Sequence, residues 1–509
     1  MPGRPTLIAV AAALTMLLPG AVAAAPALAD PIAATVTSRP IGQSLPNGFL
    51  GVSLEYRAVR QYTGSDPRAI DPVMVNLLRA MAPDQTPVVR IGGDSTDGTW
   101  WPIHGMRAPG GIYYPLNAGW LATTKAFAAD LRAKLILGIN VEAGRAAIAA
   151  AEGRALLRGI PKRYIRALEI GNEPDLYGVF PWYRDRRGHL RRSRGRRYGL
   201  LDYTREFTHW SKVLPRLPLA GPATSGPAWM GGLGKFLATE KSLNLVTYHR
   251  YPLRACVTDP SAKGYPSIPS LLSDASASGL ARGLTHFAGV AHAHHRSFRL
   301  TELNSASCEG TPGVSDTFAS ALWALDTLFN MEGAGVDGVN FHMLPGSHYE
   351  LFSPSQTSTG QWQAFVHPEY YGLLMFAQAF PVGARRLKVG SPGGPVKVWA
   401  TQDGAGNVRV TVINKDTANA HTVVVSVPGP TREASLETLQ APSASSTSGV
   451  TLGGQTFGPA TSTGTLPGPL QTTPVAPGPG GYTIQVPAAS AALVTAPGGA
   501  GGTALARRR

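Results

Sequence analysis

The stretch Ile165-Arg166-Ala167-Leu168-Glu169-Ile170-Gly171-Asn172-Glu173-Pro174 reads as a short buried strand that stops on a carboxylate. Pro174 cannot donate to a sheet ladder and bars the residue before it from the right-handed helical region, so the strand ends there and Glu173 projects beyond it. Seven more runs share this texture: Phe49 to Leu54, Pro87 to Ile91, Leu135 to Asn140, Leu217 to Ala220, Leu243 to Tyr248, Phe298 to Leu303 and Val336 to Phe341. Between them lie helical patterns such as Asp71 to Met81, Gly119 to Arg132, Arg145 to Leu157, Asp316 to Met331 and Tyr370 to Phe380. Strands alternating with helices over about 340 residues predict an α/β fold, a (β/α)8 TIM barrel spanning 45–382. A doubly wound open sheet is the alternative, and no G-x-G-x-x-G stretch supports it.

After Pro381 the texture changes to short alternating strands, Val396 to Thr401, Val408 to Asn414, Thr422 to Val427, Tyr482 to Val486 and Ala491 to Val494. Residues 440 to 480 between them are rich in Ser, Thr, Gly and Pro. A C-terminal β-sandwich over 383–496 follows, with residues 30–44 expected to lend it a strand and 497–509 expected as a disordered tail. Residues 1–29 carry one cation (Arg4), an apolar run from Leu7 to Leu18 and then Ala27-Leu28-Ala29, which predicts a secretory signal peptide and a secreted protein. A membrane anchor is the alternative, disfavoured because the run is shorter than the roughly 20 residues a bilayer needs. No later segment is apolar enough to span a membrane.

The 509 residues include 46 Lys and Arg against 31 Asp and Glu, a net charge of +15, with 43% hydrophobic and 15% charged residues. That composition supports a sizeable core and excludes a disordered chain. The two cysteines, Cys256 and Cys308, are expected to pair in an oxidising compartment, two unlinked buried thiols being the alternative. His292, His294 and His295 lack a Cys or carboxylate at ligand spacing and read as a helix surface rather than a metal site. No G-x-S-x-G elbow, phosphate loop or H-E-x-x-H occurs, so serine hydrolase, nucleotide enzyme and zinc protease readings find no support.

Barrel enzymes place their chemistry where strands end at the C-terminal face. The fourth strand ends at Asn172-Glu173 and the seventh at Thr301-Glu302-Leu303. A lone Glu at a strand end is more often solvated or salt-bridged; two facing one cavity are what glycosidic cleavage requires. One must hold a proton for the leaving oxygen, and the other must stay ionised to meet an oxocarbenium-like carbon.

These residues resemble the retaining barrel glycosidases of clan A. More specifically, Arg90-Ile91-Gly92-Gly93-Asp94-Ser95-Thr96-Asp97, Val246-Thr247-Tyr248-His249-Arg250-Tyr251, Ser315-Asp316-Thr317-Phe318-Ala319 and the closing β-domain resemble glycoside hydrolase family 79, the β-glucuronidases and heparanases. The resemblance implies Glu173 as acid/base and Glu302 as nucleophile, with Asn172 touching the sugar 2-hydroxyl. It implies Asp97 as acceptor for remote hydroxyls, with Asp94 the rival. His249 and Tyr251 would end strand six, the phenol lying close to the nucleophile, while His342 and Tyr349 would line the subsite, the tyrosine toward the glucuronate carboxyl group. Ordinary packing at the barrel mouth is the bland alternative for these rings. Where characterised bacterial members use a tyrosine and a glycine to hold that carboxyl, this chain has Ala306-Ser307-Cys308-Glu309-Gly310. An inward Glu309 would repel a uronate, so the backbone amides of Glu309 and Gly310 are expected to serve.

The expected reaction is double displacement on terminal β-linked glucuronic acid, with the two carboxyl groups roughly 5 to 5.5 Å apart and no metal or organic cofactor. The expected partner is a glucuronic-acid-containing glycan or glycoside. A neutral sugar, as in a β-glucosidase or β-xylosidase, and a non-hydrolytic carbohydrate-binding protein are the alternatives. Arg184 to Arg197 packs eight arginines into fourteen residues after Glu173. This run reads as a solvated loop or as a cationic rim for an acidic polysaccharide; nucleic acid is disfavoured by the lack of interleaved aromatics, and no membrane contact is expected.

Overall fold

Eight strands, all parallel, close into a barrel in the computed structural model: β1 (Leu50–Glu55), β2 (Val88–Gly92), β3 (Lys134–Ile139), β4 (Ile165–Ile170), β5 (Leu219–Thr224), β6 (Leu243–Arg250), β7 (Ser297–Leu303) and β8 (Gly338–Met343). They pair in chain order, and β8 closes on β1 from Val339 opposite Leu50 to Met343 opposite Leu54. The structure describes residues 30–390, 393–429 and 432–498; the expected signal peptide and most of the expected tail lie outside them. A parallel strand is covered on both faces, so its sequence is an unbroken apolar run, which is why these strands are readable. Two runs are displaced: β5 begins two residues later than Leu217 and continues to Thr224, and β8 begins at Gly338 because Val336 closes the preceding helix, donating to Met331 O.

At least one helix follows every strand, and the longer ones are Pro72–Ala80, Ala118–Leu131, Ala146–Gly159, Leu200–Val213, Leu233–Thr239, Leu280–Ala293, Phe318–Gly333 and Pro368–Ala379. Their starts carry local chemistry: Asp71 accepts from the amides of Val73 and Met74, with Pro72 in the first turn, and Asn117 accepts from Trp120 N. Phe318–Gly333 and Pro368–Ala379 are apolar nearly all round and buried nearly all round, because the C-terminal domain covers the side the barrel leaves open. Trp399 of that domain stacks on Phe329 with ring centres 5.4 Å apart, and Lys415 and Arg386 pair with Asp326 and Glu332.

The C-terminal domain is one mixed ten-stranded sheet folded over a single core. Ala34, Val36, Val410, Val412 and Val494 meet Val423, Val425 and Ile484 inside it. Ile32–Ser44 joins its two leaves: Ile32 to Thr35 pairs parallel with Val423 to Ser426, and the rest pairs antiparallel with Arg385–Gly390 through two register shifts. No helix among the described residues is long and apolar enough to cross a membrane.

Candidate active site

Arg90 in β2 is the one charge in its strand, and its side chain is fully buried. A buried guanidinium needs acceptors for its fork of donors. Its Nε donates to Glu169 Oε2 at 2.7 Å, Nη1 to Glu302 Oε2 at 2.8 Å and to Ser53 Oγ at 3.1 Å, and Nη2 to Asn172 Oδ1 at 2.8 Å. Burial works against the charge, but the Glu169 and Glu302 carboxylates outweigh it and keep Arg90 cationic.

Glu302 ends β7 beside His249 of β6, its register partner. The Tyr251 hydroxyl donates to Glu302 Oε1 at 2.7 Å. Burial alone would raise the Glu302 carboxyl; His342, His249, Arg90 and the Tyr251 hydroxyl overcome it and hold the group well below the ordinary carboxylate range. Glu173 is pushed the other way, well above that range, by burial and by the charges of Glu302, Asp94 and Asp175. Two carboxyls with opposite displacements face each other, as an acid and a base must.

Local backbone geometry aims Glu173. It sits in the left-handed region at φ 47°, and its amide donates to Ala223 O on β5 at 2.9 Å. Such a conformation costs a non-glycine residue about 1–3 kcal/mol and persists where surrounding contacts hold it. His249 supplies another contact, Nδ1 lying 3.1 Å from Glu173 Oε1 and 3.8 Å from Glu302 Oε2. Burial pushes His249 down to about 4, and its Nε2 is buried without a partner among the described residues. One oxygen of Glu173, one of Glu302 and one ring nitrogen of His249 lie within 4.8 Å of one another. A divalent cation there would face the Arg90 guanidinium bonded to the same carboxylate, so the donor set suits proton-handling carboxylates better than a metal.

The loop after β2 is held by Glu55 at the end of β1, whose oxygens accept from Asp94 N at 3.0 Å and Ser95 N at 2.7 Å. Gly93 is at φ 70°, and a Cβ there would fall 2.1 Å from Glu55 Oε1, so the close approach requires glycine. Asp94 is exposed and accepts from Asn172 Nδ2 at 3.2 Å; enclosure by the cleft walls and the Glu55 and Glu302 charges push it up to about 6. Asp97 is recessed in the wall, accepting from the Tyr177 hydroxyl at 2.9 Å. Both aspartates, with Asn172, Glu173, Tyr113 and Phe180, line a cleft of 670 Å³.

His342 lies 3.1 Å from Ser53 Oγ and 3.7 Å from Glu302 Oε2, and Tyr349 packs one ring further out, against His342 and Tyr251 at 5.9 and 6.3 Å. Cys256 and Cys308 form a disulfide across the loops that follow β6 and β7, with Cα atoms 5.8 Å apart. Cys308, Glu309 and Gly310 are then successively left-handed. The Glu309 side chain is exposed, and Gly310 lies so close to Tyr349 that a Cβ would sit 3.1 Å from its ring. Neither of their amides donates to a described backbone carbonyl. The structure thus brings Glu173, Glu302, Asn172, His249, Tyr251 and His342 into one network; Tyr349 packs against two of its rings, Asp97 joins it through the Tyr177 hydroxyl, and the Glu309 side chain and Gly310 stand outside it.

The arginine run forms a hairpin, Tyr183–Arg184 with Leu190–Arg191, and its members are not equivalent. Arg191 pairs with Asp185, while Arg194 turns inward to Glu206 at 2.9 Å, to the carbonyls of Val141 and Glu142, and to the faces of Tyr177 and Tyr198. The histidine group does have a carboxylate: His292 Nε2 meets Asp337, which also accepts from Phe298 N at the start of β7. That carboxylate comes from the loop before β8, a contact that spacing along the chain does not reveal.

Arg90, Glu55, Glu169, Tyr177 and the mouth residues Tyr113 and Phe180 received no role from the sequence. A signal existed for the first three: a charge in an otherwise apolar barrel strand, single for Arg90 and Glu55 and accompanied by Arg166 for Glu169, must be paired if buried. The mouth residues carry none, because Gly98-to-Tyr113 and Phe180 loops meet only in three dimensions.

Comparison with known proteins adds an independent line. Residues 398–493 match the glycosyl hydrolase family 79 C-terminal beta domain. Over 117 residues, 23% of this chain and 21% of the relative, the sequence is 32% identical to a protein of Aspergillus niger named beta-glucuronidase. A Neurospora crassa protein of the same name is 36% identical over 76 residues, 15% of this chain and 13% of that one. The chain thus spans about a fifth or less of the curated relatives it matches. Among solved structures, a 4-O-alpha-L-rhamnosyl-beta-D-glucuronidase from Fusarium oxysporum 12S superposes with TM-score 0.66 at 17% identity, covering 91% of this chain and 100% of that one. A GH51 arabinofuranosidase from Xanthomonas axonopodis pv. citri gives TM-score 0.64 at 15% identity, covering 92% and 99%. At those identities the likeness is one of fold.

Proposed function

We propose that this chain is a member of glycoside hydrolase family 79, as the match of residues 398–493 and the similarity to beta-glucuronidases support, and that it is a secreted retaining β-glycosidase that removes terminal β-linked glucuronic acid. The observation that carries the reading is the carboxyl pair: one oxygen of Glu173 and one of Glu302 within 4.8 Å, the first displaced toward its protonated form and the second toward its ionised form. So short a gap leaves no room for a water between carboxyl and sugar and favours direct attack.

In this mechanism Glu302 attacks the anomeric carbon while Glu173 gives its proton to the departing oxygen. Esterification removes the Glu302 charge, which is one of the causes raising Glu173. Glu173 then becomes a better base and takes a proton from the water that hydrolyses the glycosyl-enzyme. Asn172, oriented by Arg90 and Asp94, meets the neighbouring hydroxyl.

A uronate supplies one more negative charge to a site already ringed by Glu55, Asp94 and Asp97. Its carboxylate therefore needs donors, and Tyr349 and the amides of Glu309 and Gly310 offer them. The signal-like residues 1–29 and the disulfide support export. Aryl glucuronide and aryl glucoside assays with wild type, Glu173→Ala and Glu302→Ala test the reading. Glucuronide turnover lost in both variants, with azide restoring it and yielding the β-glycosyl azide only in Glu173→Ala and the α-azide only in Glu302→Ala, is expected; preferential glucoside turnover overturns the substrate, and full activity in either variant overturns the mechanism.

A further inference from the structure

Beside the first cleft lies a second, of 710 Å³, which shares Glu142, Trp182 and Tyr183 with it. We propose that this second cleft is a docking subsite for an anionic sugar of the leaving-group chain, its carboxylate or sulfate held by Arg145, Arg192 and Arg205. The inference rests on the glycosidase reading for direction: Glu173 protonates the leaving oxygen, and the shared aromatics Trp182 and Tyr183 belong to the segment that follows Glu173.

The wall is fixed in place. A Cβ on Gly110 would fall 2.3 Å from the Tyr183 ring, and one on Gly111 the same distance from Trp182, so the glycine loop lies directly on both aromatic faces. Aromatic rings beside a polar cleft are the surface on which sugar rings stack through their C–H faces.

The three arginines come from three elements. Arg145 precedes the first turn of Ala146–Gly159, Arg192 lies in the hairpin arm and Arg205 on Leu200–Val213. Arg145 donates to no acceptor among the described residues, and a cation at a helix N-terminus opposes the helix dipole, so the helix gains nothing from it. Arg192 gives Nε to Val179 O, and the pairing of Arg205 with Asp202 is exposed on both sides, 77% and 45%. The acids of the cleft do not cancel them: Glu206 is taken by Arg194, and Glu142 accepts from Ser193 Oγ at 2.7 Å, burial lifting it to about 7. The cleft therefore holds an excess of positive charge, open to water and to a ligand.

Calorimetric titration of the full chain in a Glu302→Gln background tests this, with hyaluronan tetrasaccharide (carboxylates), chondroitin sulfate tetrasaccharide (carboxylates and sulfates) and chitotetraose (neutral). The acidic ligands are expected to bind more tightly than chitotetraose, and to weaken as salt rises from about 0.05 to about 0.3 M. Arg145→Gln/Arg205→Gln, two exposed positions whose loss leaves the thermal melt in place, is expected to weaken acidic binding about fivefold or more and leave chitotetraose unaltered. A tighter sulfated ligand assigns the arginines to sulfate, and equal acidic affinities assign them to carboxylate; both support the subsite. Equal affinity for acidic and neutral ligands, no binding, or an unaffected double variant overturns it. Because the readout is binding, a chain that docks acidic sugars here yet cleaves only glucosides sinks the substrate reading alone.

Discussion

Arg90 Nη1 lies 2.8 Å from Glu302 Oε2, and the same guanidinium reaches Glu169 and Asn172. In the proposed mechanism one cation thus sets the charge of the nucleophile and the orientation of the amide that meets the sugar. Arg90→Gln is expected to lower kcat/KM on an aryl glucuronide about 100-fold or more. It should also reduce unfolding stability by about 3–5 kcal/mol, because two carboxylates lose a buried partner. Without that cation Glu302 binds its proton more readily, so the acid limb of the pH–rate profile moves to higher pH. Arg90→Lys keeps a charge but cannot reach three acceptors as a fork, and should recover the acid limb more than the rate. An acid limb that stays put in Arg90→Gln rules Arg90 out as the source of the low Glu302 value.

Tyr251→Phe keeps the ring and removes one donor from Glu302 Oε1. A hydrogen bond to a charged acceptor is worth about 1.5–3 kcal/mol, so kcat/KM should fall about ten- to a hundredfold. Packing against Tyr349 is unaltered, so the melting temperature should change little. The hydroxyl lowers Glu302, and its loss shifts the acid limb toward neutral pH. A variant with wild-type rate and profile shows that the phenol is only packing.

In the proposed mechanism the alkaline limb belongs to Glu173, whose proton must be present for the leaving group. Asp94 is one of the charges that raise it, behind burial and Glu302. Asp94→Asn removes a negative charge, so Glu173 releases its proton at lower pH and the alkaline limb moves down, while the acid limb stays put because Asp94, raised to about 6, is already neutral where Glu302 titrates. Stopped assays across the pH range read both limbs. An alkaline limb that moves up instead assigns it to another group.

The barrel strands were legible because burial on both faces writes an apolar run, and Glu173 and Glu302 were legible because each interrupts such a run at its end. The limits of that legibility are physical. Arg90 and Glu55 stand in the same kind of strand, but a charge there names no partner until the strands close in order. Asp97 and Asp94 are three residues apart, and only the Glu55 grip on the Asp94 and Ser95 amides decides which carboxylate stands open to the cleft. The arginine run looked uniform; the fold turned Arg194 inward and left Arg192 facing the second cleft, where Arg145 and Arg205 arrive from elsewhere in the chain.

Glu437 stands between the two domains, in strand Ala434–Gln440 facing Gln378 of the helix Pro368–Ala379. The Gln378 amide, turned nitrogen-first, donates to its oxygens at 3.1 and 3.3 Å. Burial outweighs that help and raises the carboxyl from 4.5 to about 7. Between those values the folded chain holds a proton that the unfolded chain has released. The stabilisation is therefore fully present below about 4.5 and is lost as pH rises through about 7, amounting to at most about 3 kcal/mol. Glu437→Gln has no proton to lose. Its denaturant midpoint relative to wild type should rise steadily from pH 4.5 to 7 and then level off. A difference that is constant across this window means that Glu437 ionises in the folded protein as it does in water.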